Sequence, residues 1–240
     1  MTGDKNDTGT DHGRRRVDFD IPDLLIRAPV VLFSLTIHEF MHAWTAWKCG
    51  DDTALRQGRV TLNPLRHLDL FGTVMLFIGP IGWAKPVPVN PRNYENPKRD
   101  EILVSGAGVA ANLALGIVCA LVLRLFGGDI LAIEQAGKVI FVMLMYGCLL
   151  NFGLAVFNLL PVPPLDGSHI LEQLLPGELA QRFSQLGRMG MFLLLGLVLL
   201  DRNVHFSFLG YSHVSPMSVP LLFLMQVFAG PRITGALFGA

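Results

Sequence analysis

Apolar residues fall in long blocks along this chain rather than in alternation. The first block runs from about Leu24 to Trp47, with Arg27 and Glu39 as its only charges. Others cover about 101–126, 137–160, 183–200 and 217–229. Val139 to Leu165 and Ile102 to Leu123 contain no Lys, Arg, Asp or Glu at all. About 20 apolar residues, rising 1.5 Å each in a helix, cross a hydrocarbon core of about 30 Å. These blocks therefore predict membrane-spanning helices. A shorter apolar piece, Leu70–Gly82, predicts a re-entrant or interfacial segment. Its flanks, 58–62 and 85–89, read as short strands. The expected fold is an all-α polytopic membrane protein with about five to six transmembrane helices and a short membrane-associated β-hairpin or re-entrant region.

Residues 1–20 are polar, charged and without periodicity, which predicts a disordered tail. The tail has no apolar core of the signal-peptide kind, so no cleaved leader is expected. Pro161, Pro163 and Pro164 break the chain after 137–160, and a short helix is expected from near Asp166, over 167–175. No internal repeat and no insert long enough for a second soluble domain is found. Residues 21–240 thus read as a single membrane-embedded domain, with a core over 24–175 followed by C-terminal helices 183–200 and 217–229.

Composition agrees. The 240 residues are 51% hydrophobic and only 16% charged, with mean hydropathy +0.47, against about 25% charged for an average soluble domain. An ordinary soluble enzyme is excluded. The formal net charge is zero, so nothing points to nucleic acid. Cys49, Cys119 and Cys148 are far apart and form neither a disulfide framework nor a metal knuckle. Region 48–99 carries Lys48, Arg56, Arg59, Arg66, Lys85, Arg92, Lys98 and Arg99, which places it on the cytoplasmic side. Arg14–Arg16 in the tail argue the other way, and the larger count decides. The expectation is a multi-pass protein of the prokaryotic cell (inner) membrane, with its chemistry toward the cytoplasm.

That chemistry is carried by His38-Glu39-Phe40-Met41-His42, an HExxH motif on the first predicted span. Residues four apart in a helix share one face, so two imidazoles can hold Zn²⁺ and Glu39 can take a proton from its bound water. The bland reading is two core histidines with a paired glutamate. Ionisable groups at membrane depth are costly and usually functional, which weighs against it.

A catalytic zinc needs a third protein ligand and an open position. Asp166 is the only acidic residue between Glu134 and Glu172 and follows the proline break, where irregular backbone at membrane depth can line a cavity. It reads as a ligand, as an N-cap of the short helix, or as both. His169 is a rival ligand. Zn²⁺ with Asp166 and Glu39 ionised is neutral overall, and so far less costly to bury than either carboxylate alone. The histidines lie late in the first span and Asp166 just past the end of 137–160. They meet only if those two helices run the same way, with 101–126 as the single crossing between them and 70–82 not a full span.

The chain resembles the site-2 protease family of intramembrane zinc metalloproteases, in its short prokaryotic form without a PDZ domain. The resemblance covers about 24–175 and rests on HEFMH at 38–42 and on Asn158-Leu-Leu-Pro161 through Leu165-Asp166-Gly167, similar to the family's NxxPxxxxDG pattern. LNPLRHLDLFGT and GWAKPVPVNPRNY also look family-like. It implies one Zn²⁺ per chain on His38, His42 and Asp166, Glu39 as general base, and cleavage of a transmembrane segment of another membrane protein. Gly108-Val-Ala-Ala-Asn112 is similar to the family's GPxxN, with Val109 in place of proline, and Ser168 stands where a second glycine is common. Asn112 either donates to a tetrahedral oxyanion or bridges helices. Asn158 supports the broken segment's backbone.

Hydrolysis in a bilayer demands a water path and an unwound substrate. Pro86 and Pro88 leave the N–H groups of Val87 and Val89 on one edge, which makes 85–89 a candidate for holding an unwound strand. The plainer reading is a loop stiffened by prolines. Two other functions remain: a membrane protease acting on surface peptides, and a non-enzymatic membrane protein, a transporter or scaffold, that keeps a structural metal. A structural site would close with four protein ligands.

Overall fold

The longest apolar blocks each form a helix. A computed structural model describes residues 21–69, 71–72, 84–208 and 211–238. In chain order its helices are α1 (Ile21–Lys48), α2 (Thr53–Arg56), α3 (Pro97–Leu131), α4 (Glu134–Asn158), α5 (Asp166–Leu174), α6 (Gly177–Leu186), α7 (Gly190–Asn203), α8 (Ser218–Phe228) and α9 (Pro231–Phe238). Two short strands, β1 (Phe206–Phe208) and β2 (Tyr211–Val214), pair antiparallel between α7 and α8. Among the described residues, four stretches are long and apolar enough to cross a membrane: Leu24–Lys48, Pro97–Leu131, Glu134–Asn158 and Gly177–Asp201. The protein is a multi-pass integral membrane protein, and Leu103, Val118, Leu125 and Ile140 are exposed large apolar residues on α3 and α4, as an apolar surrounding solvent permits.

Direction follows from who touches whom. Ser34 and His38 of α1 bond Asn151 of α4 and Asn112 of α3, and His42 bonds the carbonyl of Val104. As α1 ascends from 34 to 42, α3 descends from 112 to 104, so the two are antiparallel. Along α4, Gly147 lies near Val30 and Asn151 bonds Ser34, so α4 runs parallel to α1. The core between α3, α4 and α8 is built by Leu123, Cys148, Phe152 and Met225, all buried. The Glu95 N–H donates to the Cys49 carbonyl at 3.0 Å, and Tyr94 packs with Ala46 and Val104. The chain between them thus returns to the point where α1 ends, with no net crossing. This agrees with the expected topology. Residues 70–82, apart from Phe71 and Gly72, lie outside the described residues, as does the tail 1–20.

Several expected elements differ. Neither 58–62 nor 85–89 forms a strand. One antiparallel bridge joins Leu68 to Ala84, with the Lys85 N–H on the His67 carbonyl at 2.8 Å. Beyond it the segment is extended without a ladder. Side chains take up its polar groups: the Arg59 guanidinium donates to the Lys85 carbonyl at 2.6 Å, and the prolines offer no N–H. The expected 217–229 span is the eleven-residue helix Ser218–Phe228, about 16 Å long and too short to cross. The expected 183–200 span begins earlier, at Gly177, and passes through a 3₁₀ turn, Gly187–Met189. The short helix begins at Asp166 rather than after it.

Asp51 pins the returning loop. Its buried carboxylate accepts from the Thr53 N–H at 3.1 Å, the Thr53 hydroxyl, the Asn90 N–H at 2.7 Å and the Asn93 amide at 2.8 Å. Burial acts to raise its pKa, but the Thr53, Asn90 and Asn93 donors outweigh it and hold the carboxyl below its ordinary 3.8. A depressed carboxyl contributes stability in full above 3.8, and that stability fades as the pH falls through the lower folded value. The hydrogen-exchange protection factors over 84–96, relative to an unstructured chain at the same pH, are therefore expected to be constant above pH 5 and to fall below about pH 4. Asp51→Ala should lower that protection about tenfold above pH 5, with the difference shrinking as the pH falls below about 4.

Candidate metal centre

Two helices aim three ligand atoms at a common point, two from α1 and one from the start of α5. The His38 and His42 Nε2 atoms are 3.0 Å apart, and Asp166 Oδ2 lies 3.3 Å from the first and 3.4 Å from the second. Among the described residues these three are the only group of His, Cys, Asp or Glu placed to share an ion. A tetrahedral zinc with bonds of about 2.0–2.1 Å sets its ligand atoms about 3.3 Å apart. The three observed edges match that spacing.

Protons decide what this convergence is. The Asn151 amide nitrogen donates to the Gly147 carbonyl at 2.8 Å and to Ser34 Oγ at 2.9 Å. A carbonyl only accepts, so the other end of that amide, Oδ1, must face Asn112, whose Nδ2 donates to it at 2.7 Å. Asn112 Oδ1 is then turned to His38 Nδ1, 2.5 Å away, and must accept a proton from it. His42 Nδ1 likewise donates to the Val104 carbonyl at 2.7 Å. Both rings carry their proton on Nδ1 and present a bare Nε2 to the centre. An ionised Asp166 carboxylate is likewise an acceptor only. Its buried Oδ2 has no hydrogen-bond partner. Two lone pairs and a carboxylate oxygen thus face one another with no proton between them. A cation resolves that arrangement, and the donor set of two imidazoles and a carboxylate suits zinc.

The backbone makes room for it. A Cβ on Gly108 would lie 2.7 Å from His38 Cε1 and closer still to His42 Nε2, so only glycine lets α3 pass beneath the rings. Gly167 is equally restricted: a Cβ there would meet the Leu160 carbonyl oxygen at 2.6 Å and the Leu159 carbonyl closer. This contact tucks α5 under the end of α4 and delivers Asp166. Leu165, not Asp166, is the N-cap, and no side chain caps the helix, so the Asp166 carboxylate is free of that role.

A cavity of about 440 Å³ opens beside the trio, lined among others by Glu39, Val87, Glu101 and Asn158. Glu39 Oε2 accepts from the Val87 N–H at 2.9 Å. The Val87 donor expected to hold substrate is therefore engaged by the glutamate, and its side chain is buried against Ala43 and Ala54. Val89 lines the cavity and is exposed. Asn112 is fully buried, with both ends of its amide committed to α1 and α4, which corresponds to the helix-bridging reading rather than the oxyanion one. Asn158 is the asparagine at the cavity wall, where its Nδ2 also donates to the Leu154 carbonyl at 3.0 Å. His169 stands outside the trio, half exposed, with Nδ1 3.5 Å from Glu101. No motif in the sequence pointed to Ser34, Asn151 or Glu101. The available signal was a polar residue within an apolar helix.

Lys48 lies over the rings of Trp44 and Trp47, an arrangement typical of a membrane–water interface. His42 and His38 sit about 9 and 15 Å from it along α1, inside the apolar slab.

Residues 128–198 match the family described as Peptidase family M50. The chain is similar to the putative zinc metalloprotease YwhC of Bacillus subtilis (strain 168), 42% identical over 158 residues, which cover 65% of this chain and 71% of that protein. It is also similar to the putative zinc metalloprotease Rip2 of Mycobacterium tuberculosis (strain ATCC 35801 / TMC 107 / Erdman), 36% identical over 172 residues, 68% of this chain and 64% of the relative. The Rip2 protein of Mycolicibacterium smegmatis (strain ATCC 700084 / mc(2)155) is 36% identical over 146 residues, 59% of this chain and 54% of the relative. No solved structure matches.

Gly108→Ala is expected to abolish zinc retention, measured by elemental analysis of purified protein. Gly106→Ala should keep it, since its Cβ meets only Ile170 Cδ1 at 4.0 Å. Asn112→Ala, which frees the His38 tautomer, should weaken zinc affinity by about 10–100-fold in a chelator competition.

Proposed function

The chain belongs to peptidase family M50, the site-2 protease family of zinc metalloproteases, and we propose that it hydrolyses a peptide bond in a transmembrane helix of another membrane protein. The observation that carries this reading is the proton-free convergence of His38, His42 and Asp166 inside the apolar slab, with a carboxylate beside it. One zinc per chain is held by those three side chains. Three protein ligands leave a position for chemistry, as a catalytic site requires. Among the described residues no fourth His, Cys, Asp or Glu joins the group, which favours an open site over a closed structural one.

When bound, zinc supplies a Lewis acid that polarises the scissile carbonyl and acidifies water. The chain's residues do the rest. Glu39 is the general base. Val87 fixes its Oε2, which leaves Oε1 to take the proton from water and deliver it to the leaving amine. Asn112, through Asn151, keeps His38 in the tautomer a metal needs. The substrate enters from the bilayer and must unwind locally, because helical carbonyls are already hydrogen-bonded. The loop charges of 48–99 favour a working end at the cytoplasmic face of a cell membrane. Residues 21–240 act as one membrane domain, and the segment over 84–89 forms part of the wall the unwound chain meets.

Glu39→Gln should keep zinc and lower cleavage of a model transmembrane substrate by about 10²–10⁴-fold. Asp166→Ala should lose the metal itself. A Glu39→Gln protein that still cleaves removes the glutamate from the mechanism. Val87→Pro deletes the N–H that orients Glu39 and should lower kcat about tenfold with zinc content unchanged.

A further inference from the structure

We propose that Glu101 binds a cationic side chain, lysine or arginine, of the substrate segment next to the scissile bond. This rests on the proteolytic reading and adds to it a preference for what is cut.

Glu101 lies near the start of α3, one turn before Val104, whose carbonyl holds His42. It is 9% exposed, and its Oε2 is buried with no hydrogen-bond partner. Its Oε1 is 3.5 Å from His169 Nδ1, too long for a strong hydrogen bond. The side chain lines the same cavity as the trio and Glu39. Among the described residues three carboxylates, Glu39, Glu101 and Asp166, line that cavity, and no lysine or arginine does. A divalent metal compensates two of them. Glu101 is left over, a buried carboxylate whose nearest possible counter-charge is the half-exposed His169 at 3.5 Å and whose Oε2 has no partner, which is costly until a stronger cation arrives.

The substrate is the source of such a cation. Lys48 with Trp44 and Trp47 marks the interface at this end of α1, and Glu101 belongs to the α3 end that adjoins it. Any transmembrane helix inserted beside this protein carries its lysine and arginine excess at the cytoplasmic end, by the same charge rule that orients this chain. A long basic side chain on the unwound end can lie along apolar walls and place its charged head on Glu101.

The test uses a synthetic transmembrane peptide of about 20 leucine and alanine residues with one lysine near its cytoplasmic end, scanned over successive positions, and a twin with methionine there. Binding to the full-length Glu39→Gln protein in lipid nanodiscs is measured for both, and cleavage by the unmodified protein is measured in parallel. At one or two positions the lysine peptide should bind about tenfold tighter than its twin. Adding Glu101→Gln should remove the difference, and adding Glu101→Asp should restore most of it. A merely structural Glu101 would instead change the melting temperature and the binding of both peptides alike. No lysine preference at any position, or one that survives Glu101→Gln, overturns the proposal. A preference that behaves as stated while the unmodified protein cleaves neither peptide upholds the cation site and sinks the protease reading. Equal cleavage of both peptides with no preference in binding leaves the protease reading standing and removes the cation site.

Discussion

The centre depends on keeping protons off two nitrogens. His38 and His42 can hold a metal only as the Nδ1–H tautomer, and the protein settles this from a distance. The Gly147 carbonyl fixes the Asn151 amide, that amide fixes Asn112, and Asn112 fixes His38. The relay passes through α4, α3 and α1 in turn, so the state of one ring is a statement about the packing of three helices. Polar bonds between membrane helices average only about 0.6 kcal/mol each. Their worth here lies less in holding the bundle together than in fixing which ring atom faces the centre.

Helix direction is the second half of that constraint. With α1 and α4 parallel and α3 antiparallel between them, residues four apart on α1 meet α3 and α4 at matching depths. Small residues permit the approach: Ala43 and Ala46 on α1 are fully buried, and Gly108 passes under the imidazoles. Asp166 then needs only a break after α4 and a glycine behind it to swing back toward the pair. The proline-rich turn and Gly167 supply both. A bundle packed with bulkier side chains at these points would hold together in lipid and still set its ligand atoms too far apart.

Much of this was legible in the sequence. The apolar blocks gave α1, α3 and α4, the HExxH spacing gave the pair, and the lone acidic residue past a proline break gave the third member, whose position required parallel helices. What escaped had no periodic or motif signature. Ser34 and Asn151 are single polar residues in apolar helices, and their partners lie over a hundred positions away. The 85–89 segment alternates like a strand, but Arg59 and Glu39, both remote in sequence, occupy its polar groups. The bounds of α8 were legible to within a residue at each end, but its eleven residues are too few for the span that its apolar composition suggested.

The bond between the Glu95 amide and the Cys49 carbonyl closes the intervening stretch like a knot at the neck of a bag. What hangs below the knot begins and ends at one place, so its contents do not set the polarity of any helix that follows. Closing a longer bag costs little more, since the entropy of a loop grows only with the logarithm of its length. Natural variation can lengthen or shorten the bag without changing the direction of those helices, provided that Val87 still reaches Glu39.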